Sequence, residues 1–295
     1  MGVQARIVAY AAERDGAKAA IDAAFAEMTR LDQILSDYRA DSETAKVNAA
    51  AGGEPLRVSA EFILVLQRAL EVSRRSDGAF DVTIGPVTQV WREARKRGGI
   101  PAPQAIDAAH ALVNWHDVQV NPAAQTVRLT RAGMRLDFGG IGKGFAADRA
   151  LATLREHGIT RALVGLAGDL ALGDAPPGSR GWNVAIFDGI TEYPPTLGLA
   201  NCGVSTSGDA EQSLDIDGAK RSHIINPRAG LGLTDRIAVT VIAPDATASD
   251  ALSTAVSVLG AEQGMKMIEG IDGVAARIVS IINGAPRVQL SARFP

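Results

Sequence analysis

A chain of 295 residues is long enough for one large domain or two ordinary ones with a substantial core. With 46% hydrophobic and 21% charged residues it is not a disordered polypeptide, and a formal net charge of -3 argues against the broad basic surface of a nucleic-acid-binding protein. One cysteine, Cys202, excludes a disulfide framework and a four-thiolate zinc site, and four histidines argue against a histidine-rich metal centre, so a hard cation would need oxygen ligands.

In chain order, residues 3–11 read as a strand. Ile21, Phe25, Met28, Leu31 and Leu35 recur at helical spacing, which predicts a helix over 17–35. A second helix is expected over 59–75, a surface loop rich in Gly, Pro, Lys and Arg over 96–103, and a short helix over 105–112. Residues 118–120 and 126–129 read as a hairpin around Asn121-Pro122. Residues 144–157 read as a helix ended by Gly158. From Arg161 short strands alternate with Gly- and Pro-rich turns up to a helix over 249–259, a last helix over 262–269 and a hairpin over 275–291. Without a regular βαβ rhythm the fold class is α+β, with helices packed on mixed sheets. Residues Met1 to Arg6 lack the basic-then-apolar pattern of a signal peptide, and no apolar run reaches the roughly 20 residues needed to cross a bilayer.

Five polar, glycine-containing stretches carry the candidate chemistry. In Ser76-Asp77-Gly78-Ala79-Phe80-Asp81-Val82-Thr83-Ile84-Gly85-Pro86 an aromatic between Gly and Asp suits a flat ligand; a helix-to-strand turn with a core Phe is the alternative. In Asp137-Phe138-Gly139-Gly140-Ile141-Gly142-Lys143-Gly144 the glycines allow close backbone approach, and a helix N-terminus beside Lys143 suits phosphate; a plain strand-to-helix turn is the alternative. The stretch is neither a Walker loop nor the first turn of a dinucleotide-binding βαβ unit. Val204-Ser205-Thr206-Ser207-Gly208-Asp209 reads as a hydroxyl-lined turn, lacking the elbow of a serine nucleophile. His223, ahead of Ile224-Ile225-Asn226-Pro227, is either structural or a general base. Asp250 and Thr254, four apart, share one helix face: together they can hold Mg²⁺, or Asp250 simply caps its helix.

Taken in order, these motifs closely resemble the ApbE family, the FAD:protein FMN transferases. Tyr38 in Leu35-Ser36-Asp37-Tyr38-Arg39, with Ser42, Asn48 and Met1-Gly2, is similar to that family's early motif, so the resemblance runs from residue 1 to about residue 262. It implies an ApbE-like (T-fold-like) architecture in a single domain over 1–295. It further implies FAD contacts from Met1, Tyr38, Ala79, Phe80, Asp81, Asp137, Lys143 and Ile224. Mg²⁺ would be held by the Gly140 carbonyl, Asp250 and Thr254, with Ser253 adjacent, and His223 would act on the incoming hydroxyl. One departure is Ala167, where the family commonly has glycine. The implied reaction moves the FMN moiety of FAD onto a threonine of an acceptor flavoprotein, releasing AMP. Lys143, Asp250 and His223 would be the catalytic residues, the acceptor would belong to a membrane redox complex, and the protein itself would be periplasmic or membrane-associated outside the cytoplasm. A metal-dependent FAD pyrophosphatase, giving FMN and AMP, and a non-catalytic FAD-binding protein are the rival readings.

Overall fold

The structure, a computed structural model, describes residues 3–208, 213–216, 219–222, 224–234 and 236–295. The first elements are β1 (Ala5–Ala9), α1 (Arg14–Leu35), α2 (Glu43–Ala49), β2 (Leu56–Arg57), α3 (Ala60–Arg75), α4 (Gly85–Lys96) and α5 (Pro103–His110). Then come β3 (Val118–Asn121), β4 (Thr126–Leu129), α6 (Gly142–Glu156), β5 (Ala162–Leu166), β6 (Asp169–Leu172), β7 (Trp182–Ala185), β8 (Thr196–Leu199) and β9 (Cys202–Gly208). The chain closes with β10 (Ser213–Ile216), β11 (Ala219–Ser222), β12 (Ile225–Asn226), β13 (Leu231–Gly232), β14 (Ile237–Ala243), α7 (Ala246–Glu269), β15 (Ala275–Ile282) and β16 (Ala285–Leu290). The fold is therefore α+β, with helices packed on antiparallel sheets.

The expected helices over 17–35, 59–75, 105–112 and 144–157 fall on α1, α3, α5 and α6. The two expected over 249–259 and 262–269 are halves of α7, broken at Gly260, whose backbone (φ 76, ψ 176) is not helical. Two expectations need correction. Residues 76–86 lead from α3 into another helix, α4, rather than into a strand, because Pro86 falls in the first helical turn, where its missing N–H costs nothing. Residues 204–208 belong to strand β9 rather than a turn: their hydroxyls find partners on neighbouring elements, Ser205 on Ser249 at 2.8 Å and Thr206 on Thr240 at 2.9 Å.

Two compact units are present, and each can be taken by itself. The first contains residues 1–31, 140–211 and 235–295. Its sheet has the order β1-β5-β6-β9-β14-β15-β16, every neighbour antiparallel. All seven residues of β14 are buried, as a strand covered on both faces requires. Period-2 alternation sorts the sheet into two faces. Leu172, Val204 and Ile242 point to one side, where the β7-β8 hairpin covers them with Trp182 and Val184. Asp169 and Ser205, directly opposed across β6 and β9, point to the other, where α6 and α7 lie. The approach there is close: a Cβ on Gly203 would stand 2.2 Å from the backbone of Asp245 and Ala246. Between β5 and β6 the two-residue turn starts with Ala167 at φ 52, a left-handed conformation that glycine adopts with less strain.

The second unit contains residues 32–139 and 212–234. It has a three-stranded sheet β2-β4-β3 and the helices α2 to α5, with the small hairpins β10-β11 and β12-β13. Ser42 and Ser59 start α2 and α3 by accepting the N–H groups of Ala45 and Phe62. Val87 and Trp91 of α4 pack with Ile106 and Ala109 of α5, and the Trp91 indole donates to the Gly230 carbonyl at 3.1 Å. The Asn48 side chain clamps the Leu136 backbone, accepting its N–H at 2.7 Å and donating to its carbonyl at 3.1 Å.

Candidate active site

In the first unit, two helix N-termini meet side by side. Asp250, in the second turn of α7, accepts the Gly144 N–H of α6 at 3.0 Å. Asp148 of α6 in turn accepts the first N–H groups of α7, those of Ala246 at 2.9 Å and Thr247 at 2.8 Å. Each helix thus satisfies orphan donors of the other. Asp250 does not cap its own helix; Asp245 does, accepting the Ala248 N–H at 2.7 Å. Glycine at 144 is what lets the helices come together, since a Cβ would lie 2.0 Å from the Ala246 carbonyl oxygen.

Lys143, the second residue of α6, lies where these helix ends meet. Its ammonium stands 3.1 Å from Asp169 Oδ2 and 3.2 Å from Asp250 Oδ1. Burial alone would depress its pKa, but the two carboxylates reverse that and hold it well above the ordinary lysine value. Asp250 is pushed up to about 7, by burial first and then by the neighbouring Asp169 charge, against the pull of Lys143 and the Gly144 N–H. With both carboxylates ionised, two negative charges against one ammonium leave the cluster one charge negative. The sequence pointed to a lone cation beside a helix end, whereas the cation is more than offset and one N–H of that end is already taken. Asp169, absent from the sequence-derived site, is the residue that changes this balance.

The remaining metal candidates lie on the same unit. Ser253 is buried, with its hydroxyl donating to the Asp250 carbonyl at 2.9 Å, and Thr254 follows half-buried. Gly140 lies half-buried two residues ahead of α6. Among the described residues there is no cluster of three or more His, Cys, Asp or Glu side chains able to hold a metal.

In the second unit the nucleotide candidates have different surroundings. Tyr38 is 75% exposed. Arg92 of α4 lays its guanidinium over the Tyr38 ring, 4.1 Å from the centroid, and pairs with both Asp37 and Asp137, the latter at 3.0 Å. Asp137 also accepts the Thr88 hydroxyl at 2.8 Å and the Gly139 N–H at 2.8 Å. Burial and the Asp137 charge raise the pKa of Asp37, against Arg92. Ala79 and Phe80 are buried, so the Phe80 ring is core and only the backbone of this pair is left to face a ligand. Asp81 accepts the Thr83 N–H at 2.8 Å and hydroxyl at 2.7 Å and the Trp115 N–H at 3.1 Å. Burial nevertheless outweighs these bonds and raises its pKa. Ile224 is buried and its carbonyl accepts the Leu233 N–H at 3.0 Å. Met1 and His223 lie outside the described residues.

Comparison with known proteins agrees with the fold. The ApbE family model matches residues 1–278. An FAD:protein FMN transferase of Treponema pallidum (strain Nichols) is 34% identical over 278 residues, covering 88% of this chain and 77% of its own. One from Klebsiella pneumoniae (strain 342) is 31% identical over 258 residues, covering 85% and 79%. Among solved structures, the apo form of Pseudomonas stutzeri flavinyl transferase ApbE matches with a TM-score of 0.86 at 27% identity, over 98% of this chain and 95% of its own. A mutant of the flavin transferase ApbE from Vibrio cholerae matches with a TM-score of 0.87 at 25% identity, over 99% and 95%.

Proposed function

Since the chain belongs to the ApbE family, we propose that it is an FAD:protein FMN transferase, acting as one flavin transferase domain over residues 1–295. The observation that carries this reading to chemistry is the Lys143-Asp169-Asp250 cluster at the α6 N-terminus. With a net negative charge it would repel a bare diphosphate. A divalent cation would reverse that, and the donors fit one: they are oxygens, with Asp250 and Ser253 buried and Thr254 and Gly140 half-buried, and few enough that the ion would keep water and phosphate ligands, as Mg²⁺ prefers. Asp250, Thr254 and the Gly140 carbonyl would hold Mg²⁺, with Ser253 beside them. Bound there, Mg²⁺ would supply charge neutralisation for the diphosphate oxygens.

The chain's own groups do the rest. Lys143 stays protonated beside Asp169 and Asp250 and would present its charge to phosphate oxygens. Tyr38, Ala79, Phe80, Asp81, Asp137, Ile224 and Met1 would hold the nucleotide, Phe80 through its backbone. A threonine oxygen of an acceptor flavoprotein attacks the phosphorus on the FMN side. A P–O bond forms, the bridging P–O bond breaks, and AMP leaves with the electron pair. His223 would take the hydroxyl proton. The acceptor is expected in a membrane redox complex, and the protein itself in the periplasm or at the membrane outside the cytoplasm; no helix among the described residues is long and apolar enough to cross a membrane.

The test is incubation with FAD, Mg²⁺ and a threonine-bearing acceptor peptide, read by mass spectrometry. The expected result is a peptide heavier by FMN with AMP released, and loss of both on Asp250→Ala. AMP with free FMN and an unmodified peptide would replace transfer with hydrolysis. Intact FAD throughout would reduce the protein to a binding module, and full activity of Asp250→Ala in excess Mg²⁺ would overturn the metal assignment.

A further inference from the structure

Tyr38 presents a large, exposed aromatic ring on a short turn, where a side chain would ordinarily sample several rotamers. Here it does not stand alone. The Arg92 guanidinium covers one of its faces, 4.1 Å from the ring centroid. That guanidinium is itself fixed: Asp37, the residue before Tyr38, and Asp137 pair with it from two directions, and Asp137 is anchored by Thr88 and Gly139. The backbone beneath it is fixed too, because Trp91, its neighbour in α4, is buried and bonded to the Gly230 carbonyl. On the other side of the turn the Tyr38 N–H is donated to the Ser36 hydroxyl. One face of the phenol is thus covered by a rigid planar cation, while Tyr38 as a whole residue is 75% exposed.

We infer that Arg92 is a positioning residue for flavin recognition: it holds the Tyr38 ring as a flat platform whose open face stacks on the isoalloxazine. This rests on the reading of the protein as a flavin transferase. Arg92 need not touch the flavin. It works through Tyr38, by removing rotamer freedom before the ligand arrives, and the planar shape of the guanidinium matters as much as its charge. An ammonium in its place would still answer Asp37 and Asp137 but could not lie flat on the ring.

Arg92→Lys therefore keeps the charge between the two carboxylates and removes the stack. The experiment is a double-mutant cycle of Arg92→Lys and Tyr38→Leu. FAD affinity is measured with Mg²⁺ and no acceptor, together with quenching of flavin fluorescence, which a stacked tyrosine produces; circular dichroism checks that each variant is folded. Arg92→Lys is expected to weaken FAD binding by about tenfold, the scale of a lost cation–π and pre-organisation contribution, and to reduce the quenching. In the Tyr38→Leu background the same substitution is expected to change affinity by less than about twofold. Full affinity and quenching in Arg92→Lys, or losses that simply add in the double variant, would overturn the inference while leaving flavin transfer standing. A wild-type protein that neither binds nor quenches FAD would remove the transferase reading and this inference with it.

Discussion

At the scale of single residues, the site's chemistry depends on three charges that cannot all be satisfied by one another. Lys143 answers Asp169 and Asp250 at 3.1 and 3.2 Å, yet two negative charges remain against one positive. The surplus is borne by Asp250, whose pKa is pushed up to about 7 by burial and by Asp169. The folded protein therefore binds that proton more tightly than the unfolded chain, where a carboxyl titrates near about 4. A raised carboxyl pKa means that stability falls as pH rises between those two values and levels off above the upper one. Metal-free protein should lose thermal stability between about pH 4 and pH 7 with a steeper slope than Asp250→Asn, measured by melting across that range. Equal slopes would show that Asp250 titrates normally. Arg92 shows the same economy in the second unit: one guanidinium answers two carboxylates and a ring.

At the scale of elements, α6 and α7 meet through backbone contact, which makes position 144 decisive. Alanine is a better helix former than glycine by roughly 1 kcal/mol, so Gly144→Ala would stabilise an isolated α6. Here the new Cβ would meet the Ala246 carbonyl oxygen at 2.0 Å, a backbone atom that cannot rotate away. The expected outcome is a destabilisation of roughly 3 kcal/mol, read as a lower urea midpoint; a higher midpoint would mean the helices do not touch there. Elements of this kind were legible in the sequence where a local signal existed. The apolar spacing of Leu31 and Leu35 gave α1, and Gly158, at φ 79, closes α6 where it was expected to. α4 was not legible, because Gly85-Pro86 reads as a turn although Pro is well suited to a first helical turn. β9 was misread because Ser205, Thr206 and Ser207 look like turn residues; the partners that satisfy two of these hydroxyls, Ser249 and Thr240, are 44 and 34 residues away. Asp169 and Arg92 escaped for the same reason: ion pairs across such distances leave no periodicity.

At the scale of the whole molecule, the family match over residues 1–278 fixes the architecture, and the proposed chemistry makes metal and flavin interdependent. If Mg²⁺ is what turns the acidic cluster into a diphosphate site, each ligand must strengthen the other's binding. FAD should then raise the melting temperature more in Mg²⁺ than in EDTA, since a ligand stabilises the fold in proportion to its occupancy of the folded state. Identical shifts in the two buffers, recorded by differential scanning fluorimetry at fixed FAD, would separate flavin binding from the metal.

The exchange of carboxylates between α6 and α7, Asp250 to the Gly144 N–H and Asp148 to the Ala246 and Thr247 N–H groups, also bears on how such a protein can change. Residues 144–148 and 246–250 are about a hundred positions apart in sequence, yet each stretch supplies carboxylate partners to the other's backbone N–H groups. A recombination event that draws the two stretches from divergent parents would disturb both joints at once. A substitution at either end therefore meets its partner at the other, and the two stretches form one structural part rather than two.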